Sequence, residues 1–175
     1  AHARGVSVRV HPSLVPAANP LASVHGAFNA VLIEAESAGR LMFYGQGAGG
    51  APTASAVLSD VVAAAFHRVN GGQAPRESNY ADLPILGPAS AVTRYQVQLR
   101  VDDQPGSLAI VAGVFADNEV SIDSVRQSAY VGGRDAIVTI VTHPAGVFHL
   151  DAAVDALRDE ARVPEVVSVR RVEGR

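Results

Sequence analysis

The chain has 175 residues, 48% hydrophobic and 18% charged, which excludes a disordered tail and supplies one ordinary domain or two small ones. Its net charge of −3 gives no electrostatic case for nucleic acid or an anionic membrane as partner. There is no cysteine, and all 14 basic residues are arginine, so disulfides, thiol nucleophiles and every lysine chemistry are absent from this polypeptide.

No apolar run approaches the ~20 residues that cross a bilayer. No secretory signal follows Ala1-His2-Ala3-Arg4-Gly5, so a cytoplasmic protein is expected. Val6, Val8 and Val10 alternate, predicting a strand over residues 6–10 that starts as though inside a domain. Pro12, Pro16 and Pro20 then forbid a continuous helix or a central strand. Residues 28–35 and 40–44 are apolar runs around Glu36-Ser37-Ala38-Gly39, the pattern of a hairpin. After Gly45-Gln46-Gly47-Ala48-Gly49-Gly50-Ala51-Pro52, residues 53–69 carry a stripe of Ala54, Val57, Leu58, Val61, Val62, Ala65, Phe66 and Val69. That spacing predicts a helix facing a core, with Pro52 in its first turn and Asn70-Gly71-Gly72 at its end.

Residues 71–92 read as a linker, broken by Pro84, Gly87 and Pro88, with Tyr80, Leu83, Ile85 and Leu86 able to pin it to a neighbouring surface. Beyond it, residues 94–101 alternate as a strand and 102–106 form a turn. Residues 107–118 follow as a helix built on Leu108, Ile110, Val111, Val114 and Phe115. Strands are predicted over 120–129 and 136–142 around a turn at 131–135. A helix over 148–160 carries Leu150, Ala153, Val154 and Leu157, and a last strand spans 166–172. The βαββαβ order predicts a two-layer ferredoxin-like sandwich, making the whole chain α/β of the α+β kind.

Two strand-to-helix turns carry chemistry. The glycines around residues 45–50 leave backbone N–H groups at a helix N-terminus, fit for a phosphate or a cofactor edge, or simply for a tight turn. No βαβ unit with an acidic residue ~20 positions on completes a Rossmann fingerprint. In Asp102-Asp103-Gln104-Pro105-Gly106-Ser107-Leu108, first-turn N–H groups suit a carboxylate and Asp102 or Asp103 an ammonium, the needs of an amino-acid ligand. The plain structural alternative is a capped turn with Ser107 as N-cap. The six histidines show no metal-ligand spacing, and no nucleophile-elbow motif is present, so neither a metal site nor a hydrolase is expected.

Two stretches resemble homoserine dehydrogenase in its C-terminal half. One runs through Val8-Arg9-Val10-His11-Pro12-Ser13-Leu14-Val15-Pro16, Asn19-Pro20-Leu21-Ala22 and Gly26-Ala27-Phe28-Asn29-Ala30-Val31. It continues over Tyr44-Gly45-Gln46-Gly47-Ala48-Gly49-Gly50-Ala51-Pro52-Thr53-Ala54-Ser55-Ala56-Val57. The other, Asp103-Gln104-Pro105-Gly106-Ser107-Leu108 with Asn118-Glu119-Val120-Ser121-Ile122, is similar to an ACT regulatory domain. The resemblance implies a partial catalytic-domain sheet with one long helix over 1–70, a linker over 71–92 and an ACT domain over 93–175. It implies NAD(P)-dependent interconversion of homoserine and aspartate 4-semialdehyde, in threonine and methionine biosynthesis. The family's Rossmann half and its catalytic lysine precede the matched region, so this chain is expected to be a truncation, gene fragment or engineered cut, inactive by itself. No catalytic residue is expected in it. NAD(P) belongs to the intact enzyme and is not expected on this chain alone, although Gly47, Ala48 and Gly49 are implied to reach the cofactor. Threonine is the implied effector, facing Asp103, Gln104, Pro105, Gly106 and Ser107, with Asn118, Val120, Ser121 and Ile122 across the cleft. A homo-oligomer, at least a dimer, is expected. A stand-alone amino-acid-binding or dimerisation module without catalysis is the alternative.

Overall fold

The computed structural model describes residues 5–72, 83–87, 90–130 and 133–173. The chain divides into two compact units: Leu83–Arg175 with the chain up to Pro16, and Ala17–Asp82. In chain order the elements are β1 (Ser13–Leu14), a 3-10 turn (Pro20–Ser23), β2 (Phe28–Ala35), β3 (Gly39–Gln46) and α1 (Gly50–Asn70). They continue as β4 (Val92–Asp102), α2 (Ser107–Asp117), β5 (Ile122–Ala129), β6 (Asp135–Thr142), β7 (Ala145–Gly146), α3 (Val147–Arg158) and β8 (Glu165–Val172).

The first unit is the expected βαββαβ sandwich. Its sheet runs β1-β8-β4-β6-β5, with β7 paired to the start of β4. β4 is central, antiparallel to both β6 and β8. Every second β4 residue from Thr93 to Val101 is buried, the period-2 signature of a strand with one covered face. That face meets Val111 and Phe115 of α2 and Leu150, Ala153, Val154 and Leu157 of α3 in one cluster with Val138 and Ile140. Each fully buried large side chain there contributes roughly 1.5–3 kcal/mol of apolar transfer, so this face dominates the unit's stability. Thr142 is fully buried on β6, and its Oγ1 accepts the Tyr95 N–H at 3.0 Å, which satisfies both groups inside the sheet.

The strand expected over residues 6–10 is absent. Val6 makes a single parallel bridge to Ile85, and Val8 and Val10 are 72% and 100% exposed. Among the described residues, alternation there finds no partner strand. Pairing begins further on, where Ser13 and Leu14 lie parallel to Arg171 and Val172 of β8. Of the expected linker, residues 73–82 and 88–89 lie outside the described residues, including Tyr80; so do residues 131–132 of the expected turn.

In the second unit, β2 and β3 form the expected hairpin in register from Phe28↔Gln46 to Ala35↔Gly39. Gly39 closes the turn at φ +69°, and Phe28 and Tyr44 stack at 4.8 Å between ring centroids. α1 starts at Gly50 rather than at residue 53 and ends where Gly71 turns left-handed at φ +67°. Its stripe does not face a core: no α1 residue is buried, and Phe66 is 64% exposed. The physical reason is the size of the unit. Among the described residues of the unit, a two-stranded hairpin and one helix supply no layer to close over the stripe.

Candidate functional site

The β4–α2 turn carries five of the residues singled out for an effector. β4 ends at Asp102, whose N–H donates to the Arg162 carbonyl at 3.1 Å, while the Asp103 N–H donates to the Arg134 carbonyl at 3.1 Å. These two bonds fix the turn from opposite sides. Gln104 N–H then donates to Asp102 O at 2.9 Å and Ser107 N–H to Gln104 O at 3.2 Å, closing the bend. Gly106, at φ +92°, is the N-cap of α2. Ser107 is therefore not the N-cap that its side chain suggested; it is the first helical residue, 3% exposed, and its Oγ has no hydrogen-bond partner. The left-handed step needed to leave β4 falls on the one residue without a Cβ, which moves the cap back by one.

Asp103, Gln104, Pro105, Gly106, Ser107 and Leu108 line a cavity of about 370 Å³ together with Gln127. A turn of glycine, carboxylate and first-turn N–H groups can accept both ends of a zwitterion. Gln127 and Arg162 escaped the sequence reading. Gln127 Nε2 donates to Asp103 Oδ1 at 3.0 Å, and Arg162 Nη1 donates to Pro105 O at 3.0 Å. Strand alternation puts residues 125 and 127 on one side of β5, but only the sheet order brings that side to the turn.

The other four candidates sit at the opposite end of α2, an 11-residue helix and so roughly 16 Å long. Within one copy they do not face the turn. Asn118 Nδ2 donates to Val114 O at 2.8 Å, ending the helix, and Val120 is buried in the core. Val120, Ser121 and Ile122 line a separate groove of about 410 Å³ with Ala112, Ala116 and Glu119.

The glycine loop lies in the second unit, between β3 and α1. Gly47 N–H donates to Ala27 O at 2.9 Å, and a Cβ on residue 47 would run into the Asn29 side-chain amide. Gly49 caps α1 at φ +128° with no side-chain cap bond, so the first N–H groups of α1 keep no side-chain partner. Gly49 also edges a cavity of about 730 Å³ lined by Gly50, Thr53, Ala54, Val57 and Leu58. The uncapped N-terminus beside these glycines leaves first-turn N–H groups that can meet an electron-rich ligand edge. The second unit's strands, an antiparallel hairpin, do not form a dinucleotide-binding βαβ unit.

Residues 1–62 match the homoserine dehydrogenase family and residues 95–162 the ACT domain family. The homoserine dehydrogenase of Mycobacterium tuberculosis strain H37Rv is 57% identical over 173 residues, 97% of this chain and 39% of the relative. That of Corynebacterium glutamicum is 49% identical over 168 residues, 96% of this chain and 37% of the relative. The crystal structure of a homoserine dehydrogenase from Thiobacillus denitrificans superposes with a TM-score of 0.85 at 32% identity, covering 97% of this chain and 39% of that one. The chain thus spans about two fifths of the relatives it matches. Sequence order, ACT topology and structural likeness agree on one assignment: the chain corresponds to the C-terminal part of homoserine dehydrogenases, a dehydrogenase segment over residues 1–62 followed by an ACT domain over residues 95–162.

Proposed function

We propose that this chain is the C-terminal portion of an enzyme interconverting homoserine and aspartate 4-semialdehyde with NAD(P), in cytoplasmic threonine and methionine biosynthesis, and that its ACT domain reads threonine. The observation carrying this reading is the 57% identity over 173 residues, which spans both segments. It favours an enzyme portion over a free-standing ACT module, which would have no use for a dehydrogenase segment. On this reading residues 1–70 close the catalytic region, 71–92 link and 93–175 regulate. Gly47, Ala48 and Gly49 touch the cofactor that the intact enzyme binds, where the helix N-terminus favours an electron-rich edge.

The effector site, on the same reading, is shared between two copies. The turn end and the groove end of α2 are a helix length apart in one copy. A two-fold axis across α2 and the free sheet edge, β5, brings one copy's Asp103–Ser107 turn to the opposite end of its partner's helix. Asp103 then meets the ammonium, Gly106 and the first-turn N–H groups the carboxylate, and Asn118 and Ser121 of the partner subunit the hydroxyl.

A chimera tests the reading. This chain replaces the matching portion of the Mycobacterium tuberculosis relative, and homoserine-dependent reduction of NAD(P) is followed with and without threonine. Turnover slowed by threonine is expected. A folded chimera without turnover contradicts the enzymatic part; turnover indifferent to threonine contradicts the regulatory part.

A further inference from the structure

Residues 5–16 match the dehydrogenase family by sequence, yet by contact they belong to the ACT-bearing unit. Two contact points hold them there. Val6 N–H donates to Pro84 O and Leu86 N–H to Val6 O, both at 2.8 Å, and a Cβ on Gly5 would run into Pro84 and Leu86. At the far end Ser13 and Leu14 pair with β8, Glu173 N–H donates to Leu14 O at 2.9 Å, and His11 Nε2 lies 3.8 Å from Glu173 Oε1. His11 Nδ1 and Ser13 Oγ share a hydrogen bond at 2.9 Å, stiffening the stretch between.

We propose that residues 5–16 form a releasable strap on the ACT sheet, occupying the β8 edge and attaching the domain to the dehydrogenase segment at two points of the chain instead of one. The chain crosses between the units at Pro16–Ala17 and again at Asp82–Leu83. The strap covers the last two residues of the edge opposite β5, Arg171 and Val172, while β5 stands at the other edge of the sheet. Its hold is slight by construction, a two-residue parallel pair and a bridge, so it opens at far lower cost than the core beneath it.

The test is amide hydrogen exchange on the 175-residue chain and on Glu173→Pro, which removes the N–H donated to Leu14 and the carboxylate facing His11 while lying just beyond β8. Val6 and Leu86 report from the remote end. In the parent their amides are expected to be protected, though less than Val97 and Leu99 in β4. In Glu173→Pro they are expected to exchange at least ~10-fold faster, with Val97 and Leu99 unchanged. Glu173→Gln, which keeps the N–H, is expected to change Val6 and Leu86 little. Should Glu173→Pro also expose Val97 and Leu99, His11→Ala takes its place and must speed Glu173 and Val6 together. Parent Val6 and Leu86 amides exchanging like free peptide, or staying protected when the far end is opened, would overturn the strap.

Discussion

Gln127 on β5 and Asp103 in the β4–α2 turn are joined side chain to side chain, Nε2 donating to Oδ1 at 3.0 Å. The bond ties the sheet edge to the β4–α2 turn and holds the Asp103 carboxylate in place. Gln127→Ala releases that carboxylate, and because the pair is exposed the expected loss is at the low end, about 0.5–1 kcal/mol or two- to fivefold in threonine affinity. Calorimetric titration reads the affinity, and the denaturation midpoint is expected to fall by no more than the loss of that one exposed bond.

Gly106→Val is expected to act on fold and site together. A β-branched residue at φ +92° costs about 1–2 kcal/mol, visible as a lower urea midpoint. The same side chain would crowd Arg162 Nη1, 3.7 Å from a Cβ at residue 106, and the bond it donates to Pro105 O, so threonine binding is expected to weaken beyond what the stability loss explains.

The ACT half was legible because its signals were redundant. β4 alternates over its whole length, and Leu150, Ala153, Val154 and Leu157 all bury as their spacing predicts. Residues 6–10 show the opposite case: alternation is a local pattern, and a strand needs a partner that local pattern cannot name. α1 carried a core-facing stripe, and its boundaries are near those expected, but a stripe says nothing of whether a covering layer exists within the same unit. At the site, the turn was visible from Gly106 and its carboxylates. Gln127 and Arg162 were not, since they lie 24 and 57 residues from their partners Asp103 and Pro105.

Gly47→Ala is expected to destabilise the hairpin–helix unit by about 1–3 kcal/mol, because the new Cβ enters the space of the Asn29 amide. The three nearest atoms it meets belong to the Asn29 side chain, so Asn29→Ala in the same chain should recover most of the loss. A double-mutant cycle of thermal midpoints shows the coupling; additive losses contradict the close approach.

Thr142→Val keeps shape and removes the acceptor of the buried Tyr95 N–H. The orphaned donor is expected to cost about 1–3 kcal/mol, read from the denaturant midpoint of the ACT transition.

With no lysine in the sequence and no dinucleotide-binding unit among the described residues, the 175-residue chain alone is expected to oxidise no homoserine with either nicotinamide cofactor. Turnover by the pure chain contradicts this.

The most direct measurement is a titration of the 175-residue chain with threonine by calorimetry at millimolar ligand, with its mass followed by light scattering. A mass of at least a dimer and a saturable heat that Gly106→Val diminishes are expected. A folded dimer giving neither heat nor thermal shift would contradict this, leaving the ACT sheet as an assembly surface alone.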